Sequence, residues 1–235
     1  MNDLKVWKII CEIRYPAAAA LFDNRGRIAS NWQWTSDLTE WKMSNNQVSV
    51  HNKSNSKFLN VGFKNITVTM EVPENHTEFD DLASKFSVEV LKLLQVKKIE
   101  RIGLRYIQLA RRQHFKLLVS KMREKLFLLS NDDWTVFGGN PEDIGFPLTL
   151  AFDDKKANFL MGPMKSDQLI SFFESAEVKK KLPSVALFLD FDLYKNDPDF
   201  NFEKYHEEIS GFIKSGSEKI ISTSNNIVEK FGGFK

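Results

Sequence analysis

Cysteine is almost absent from this chain: one residue, Cys11, among 235. A single thiol cannot build an internal disulfide framework, so the core must hold the fold, and a reducing compartment is expected. Glycine and proline are scarce too, at 11 and 7 residues, which argues against long disordered tracts. Neither sign of charge dominates. The 33 Lys and Arg against 31 Asp and Glu leave +2, so the whole chain implies no acidic or basic partner. Nowhere do about 18 apolar residues run together, and MNDLKVWKIICEIRYP at the start holds no long apolar stretch. A cytoplasmic protein that makes no membrane contact is the expectation. Missing as well are the G-x-G-x-x-G and Walker A phosphate loops, the G-x-S-x-G nucleophile turn, and His or Cys at metal-ligand spacing. No cofactor and no metal are expected, and the reading leans away from an enzyme.

Phenylalanine is plentiful, 20 residues in a chain that is 42% hydrophobic, enough to fill a large core. Its placement is periodic. In residues 6–15, Ile9, Cys11, Ile13 and Tyr15 alternate with Lys8, Glu12 and Arg14, the period of a half-buried strand. Residues 47–53, 58–63 and 66–72 alternate likewise and predict a meander. Thr77 and Asp80 look like a capping box before a helix whose apolar stripe is Phe79, Leu82, Phe86, Val90 and Leu93. A strand follows at about 99–110.

The second half reads as a helix at 114–129, short strands in WTVFGG, FPLTLAF and ANFLMGP, and a helix at 166–178. A strong strand at 183–194 and a long helix at about 201–230, stopped by Gly232–Gly233, complete it. The stretch 17–45 suggests a short helix and a turn at Asn24–Gly26. The predicted class is α+β, one domain of antiparallel sheets covered by long amphipathic helices. Each half holds a meander, a long helix and a strand with paired charges, so an internal duplication into halves 1–112 and 113–235 is the architectural expectation.

Those paired charges are the main candidates for a site. On one strand Arg101, Gly103 and Arg105 share a face, opposite Ile102, Leu104 and Tyr106. On the other, Asp190 and Asp192 lie opposite the large aliphatic residues. If the strands are neighbours, Arg105 can fork onto a carboxylate, and a structural ion-pair network leads over a ligand or enzyme pocket. Gly103 leaves room for a group to approach the backbone closely. His206, beside Glu207 and Glu208, is the one histidine with carboxylate neighbours and joins the candidate site of Arg101, Arg105, Tyr106, Asp190 and Asp192.

Residues 97–125 carry ten Lys or Arg against two Glu. Arg111, Arg112, Lys116, Lys121 and Arg123 are therefore candidate nucleic-acid contacts, weighed against an ordinary solvated face. Trp32, Trp34 and Trp41 suit base stacking or, more simply, anchoring of an irregular segment.

RIGLRYI (101–107), LDFDLY (189–194) and YHEEISGFI (205–213), in that order, resemble landmarks of a sporadically distributed prokaryotic family of about this length whose function is uncharacterised. The family pattern has Asn where this chain has Gln108, and its His-containing helix is spaced differently around Ile209 and Phe212. The resemblance implies a prokaryotic cytosolic protein and lends no catalytic residues. The leading functional expectation is a non-enzymatic binding or accessory protein that works through a protein partner or as a homo-oligomer.

Overall fold

Alternation along the chain becomes one sheet. The computed structural model describes residues 3–30, 37–127, 136, 138 and 141–231. Its strands are β1 (Leu4–Arg14), β2 (Glu40–Met43), β3 (Gln47–His51), β4 (Lys57–Gly62), β5 (Asn65–Glu71), β6 (Arg101–Arg112), β7 (Phe146–Phe152), β8 (Lys155–Lys165) and β9 (Val185–Asn196). The helices are α1 (Leu21–Ser30), α2 (His76–Leu93), α3 (Phe115–Leu126), α4 (Ser166–Leu169), α5 (Ala176–Lys181) and α6 (Tyr205–Phe231). The nine described strands pair antiparallel throughout, in the order β2-β3-β4-β5-β1-β6-β9-β8-β7. The class is α+β, as the patterning predicts.

The two expected sheet regions are thus one continuous sheet, joined where β1 pairs with β6 at its centre. Outward from β1 the strands run β5, β4, β3, β2; outward from β6 they run β9, β8, β7. In each run the first strand pairs with the last. β6 opens the second run because its twelve-residue pairing is with β9.

One face of the sheet is dry. Ile9, Cys11 and Ile13 of β1, Ile102, Leu104 and Tyr106 of β6, and Leu187, Leu189, Phe191 and Leu193 of β9 are all buried there beneath α1, α2, α3 and α6. Burying side chains of this size contributes roughly 1.5–3 kcal/mol each, which is why the apolar alternation dictates the strands. α6 lies close against the sheet because Gly216 offers no side chain. A Cβ there would sit 3.0 Å from Leu104 Cδ2.

Among the described residues the other face is covered at one end only. α4, a 3₁₀ turn at Ile170–Phe172, and α5 bury Leu169, Phe173 and Val178 against Ile107, Leu109 and Phe188. The single helix expected over 166–178 is broken at Phe173–Ser175, where the chain turns extended. Glu71 is the cause. Its carboxylate accepts the backbone N–H groups of Glu174 and Ser175 at 2.7 and 3.1 Å. Lys8, expected on a solvated strand face, is buried under this cover, ion-paired to Glu71 at 3.3 Å and donating to the Phe172 carbonyl at 2.7 Å.

Smaller corrections follow from local chemistry. Asn24–Gly26 lies inside α1 rather than in a turn. α2 is capped by Asn75, whose side chain accepts from Glu78 N, while Asp80 of the expected capping box points into the core. β2 lies in the stretch 17–45 beyond the short helix and turn expected there, and forms the sheet edge. The strand expected at WTVFGG falls outside the described residues except for Val136 and Gly138, which sit in turns, and Gly232–Gly233 falls outside them. Among the described residues no helix is long and apolar enough to cross a membrane.

Candidate functional site

Where the cover ends, the polar face of β1, β6, β9 and β8 opens to solvent. Gly103 is the centre of the lattice built there. Its cross-strand partners are Glu12 on β1 and Tyr194 on β9. The Arg101 side chain leans along β6 and lies over Gly103, so close that a Cβ at 103 would stand 2.9 Å from Arg101 Nη1. The group that approaches this glycine is therefore a neighbouring side chain. From there Nη1 donates to Glu12 Oε2 at 3.1 Å, Nη2 donates to Asp192 Oδ2 at 3.0 Å, and the guanidinium covers the Tyr194 ring at 4.7 Å. One cation thus ties three strands together.

Arg105 makes the second node. Directly opposite it in register stands Asp192, yet its fork closes on Asp190, Nε donating at 2.8 Å and Nη2 at 2.5 Å. Arg14 completes the group, its Nη2 2.8 Å from Glu12 Oε2. Three arginines and three carboxylates therefore balance. The guanidinium of Arg105 is driven further into its charged form by the bond to Asp190. Burial raises the Asp192 carboxyl above its ordinary range, against the lowering influence of Arg101 and Arg105.

Two shallow depressions flank this lattice. One, of about 440 Å3, is lined by Arg105, Asp190, Asp192, Asn158 and Thr149. The other, of about 290 Å3, is lined by Glu12, Arg14, Arg101, Gly103 and Thr67. Arg105 and Asp192 line both.

Not every candidate residue arrives here. Tyr106 points through to the dry face, where its hydroxyl donates to Ser217 Oγ at 2.7 Å and Ser217 donates to Asp80 Oδ1 at 2.7 Å. This relay clamps α2 and α6 onto β6. His206 is exposed on α6, on the helical side of the sheet, and does not line either depression. Alternation sets Tyr106 opposite the arginines, which is why it leaves the candidate site for the dry face; no strand pattern could have placed His206. Glu12 and Arg14 are the lattice members missing from the sequence candidates, and their signal was their place on the polar side of β1.

The basic candidates divide as well. Arg112 is buried and paired with Asp3, its Nη1 2.6 Å from Oδ2, so it does not reach solvent as a phosphate contact. Arg111 and Lys116 are exposed, and Lys121 and Arg123 are half-buried on α3. Arg111 and Lys121 line one hollow and Lys116 another, rather than one continuous stripe. Trp41 stands 57% exposed on edge strand β2, while Trp32 and Trp34 lie outside the described residues. Among the described residues no three His, Cys, Asp or Glu side chains are grouped to hold a metal ion. Cys11 is buried on the dry face, where burial, Asp80 and Glu12 push its thiol up to about 12.

The buried Asp80 sets a pH dependence. Burial raises its carboxyl above the usual range, so the folded protein holds this proton to higher pH than the unfolded chain does. Its contribution to stability is then full below the ordinary carboxylate range and is lost as pH rises through the raised value. Asp80→Asn keeps an acceptor for Ser217 and removes the charge. We expect it to melt higher than the parent at neutral pH and to show a flatter stability profile when unfolding is followed from about pH 4 to about pH 8. An unchanged profile would contradict this.

No protein-family model matches the chain, and no curated protein matches it in sequence. RIGLRYI and LDFDLY lie in β6 and β9, which pair along their lengths, and YHEEISGFI opens α6, the helix that packs on both strands through Gly216 and Ser217 further along.

Proposed function

We propose that this is a non-enzymatic binding protein that recognises a protein partner through the open face of its sheet. The observation that carries this reading is the mutual neutralisation of the lattice. Arg101 and Arg105 hold, and are held by, Glu12, Asp190 and Asp192, so the charges stand in set positions before a partner arrives. Preordered side chains lose little freedom on docking, and a patterned face of both signs selects partners by electrostatic complementarity. A catalytic acid or nucleophile needs the opposite: a group free to move a proton or attack. The shallow form of the two depressions also suits a broad contact better than an enclosed reaction.

Arg14 and Lys156 lie at the exposed rim, on β1 and β8. The double change Arg14→Glu with Lys156→Glu should weaken partner capture by about tenfold or more, while Lys230→Glu on α6 leaves it intact. Sedimentation velocity reads the same result if the partner is a second copy. A partner retained equally by the rim variant, or turnover of a substrate that the rim variant abolishes, would overturn the reading.

A further inference from the structure

β8 and β9 are antiparallel neighbours, and Lys165 stands opposite Val185 at the end where the chain passes from one to the other. A turn of about two residues would join such neighbours. Instead residues 166–184 form a strap, closed at its base where Ser166 N donates to the Ser184 carbonyl at 3.1 Å, and cross the sheet face over β9 and β6 to reach β1 and β5. At the far end Phe172–Ser175 is held as a receptor holds an extended peptide. Lys8 Nζ donates to the Phe172 carbonyl at 2.7 Å, and the Glu71 carboxylate accepts from the Glu174 and Ser175 amides at 2.7 and 3.1 Å. The Phe172 ring lies 4.8 Å from that of Phe188, and the Phe173 ring 6.1 Å from that of Trp7, edge to face.

The sheet is distorted where it holds this segment. β1 bulges at Trp7, since Val6 pairs with Gln108 and Lys8 with the preceding residue, Ile107. The bulge breaks the alternation, so that Trp7 and Lys8 both meet the Phe173 ring. Beside Glu71, Val72 stands at φ 49°, a left-handed conformation that a β-branched residue adopts only under constraint, and its amide donates to the Trp7 carbonyl at 2.8 Å. Bulges and strained residues of this kind gather at ligand clamps. A sheet face that is merely covered needs neither, nor a buried Lys8–Glu71 pair where an apolar pair often serves as well.

We propose that Trp7, Lys8 and Glu71 form a clamp for an extended segment of a partner protein bearing two adjacent aromatic residues, and that Phe172–Ser175 fills it in cis as an autoinhibitory strap. The present occupant defines the ligand: two rings adjacent in sequence, then two free amides, the second on a small buried residue. Main-chain bonds supply affinity that another extended peptide can reproduce, and the ring positions select among peptides. The strap is made of pieces that do not persist off the sheet. Its helices α4 and α5 have four and six residues, with a three-residue 3₁₀ turn between them. The clamp uses neither Arg14 nor Lys156, so it stands apart from the rim contacts proposed above.

Fluorescein-labelled ISFFESAE, the sequence of residues 170–177, is titrated into the full chain and into Phe173→Ala, with anisotropy as the readout. Phe173→Ala keeps the clamp and weakens its occupant. The peptide should therefore bind it about tenfold or more tightly than it binds the parent, whose strap competes at roughly millimolar effective concentration. Ser175→Pro is a second opened variant: the φ of −64° at this position suits proline, and one amide held by Glu71 is lost. N-methylating the peptide at the two amides that Glu71 accepts should weaken binding by about tenfold, whereas Arg14→Glu with Lys156→Glu should leave it unchanged. Hydrogen exchange of the unaltered chain checks the strap directly, since residues 166–182 should open locally, below the free energy of global unfolding. Exchange of those amides only through global unfolding would sink the proposal, as would folded variants that bind no peptide, or equal affinity for the N-methylated peptide. A parent dimer in sedimentation velocity that the peptide breaks would replace the partner protein with the strap of a second copy.

Discussion

Glu71→Ala should destabilise the protein by about 3–5 kcal/mol, the largest effect expected of any single charge removal here. The Glu71 side chain is completely buried and serves three donors at once: Lys8 Nζ and the amides of Glu174 and Ser175. Its loss leaves Lys8, 8% exposed, as a buried cation with the Phe172 carbonyl and the Phe173 ring, 6.0 Å away, in place of a counter-charge, and leaves two amides unpaired beneath the cover. Each consequence belongs to the class where truncation costs the full desolvation of the abandoned group. Damage should be local before it is global. Hydrogen exchange should accelerate first over residues 166–182, because Glu71 is the polar tie between that segment and β5. Lys8→Met combined with Glu71→Leu should recover the share of the loss due to the stranded Lys8 cation, since the site is apolar around them, but not the share due to the amides of Glu174 and Ser175. Uniform exchange across the chain, or a loss below about 1 kcal/mol, would show that the segment holds itself in place.

Arg101→Ala is expected to cost about 2–3 kcal/mol and to couple with Asp192→Ala by about 1–2 kcal/mol in a double-mutant cycle. Geometry and burial decide the size. Arg101 is 17% exposed and bridges carboxylates on two strands while covering Tyr194, whereas Arg105, with the better fork, is 40% exposed. Solvent screens the more exposed pair, so Arg105→Ala should cost less despite its bidentate bond. Losing Arg101 also removes the strongest influence holding the Asp192 carboxyl down, and that carboxyl is already raised by burial. The deficit of Arg101→Ala should therefore shrink as pH falls and Asp192 takes up a proton. Additive single losses would mean that the lattice is an arrangement of independent surface pairs.

Together these two results would separate scaffold from recognition surface. A strongly coupled Arg101 node puts RIGLRYI to work joining β1, β6 and β9, and directs the search for contacts to the rim residues Arg14 and Lys156. A weakly coupled node returns Arg101 and Arg105 to the pool of groups that can reorganise around a ligand.

Alternation of apolar residues determined the strands, because only a period of two buries Val185, Leu187, Leu189, Phe191 and Leu193 together. It likewise determined which way Arg101, Arg105, Asp190 and Asp192 face, and the helical stripes determined α2 and α6. Those are local properties, read from spacing along the chain. Strand order is not local. That β6 lies between β1 and β9 is set by how the long strands share one core, and only this brings Glu12 to Arg101 across 89 positions of sequence. The buried state of Lys8 and the break in the helix at 166–178 were likewise decided in three dimensions. There a carboxylate on β5 offered two amides better partners than the next helical turn would have, and the cover it holds turned a polar strand face into an interior.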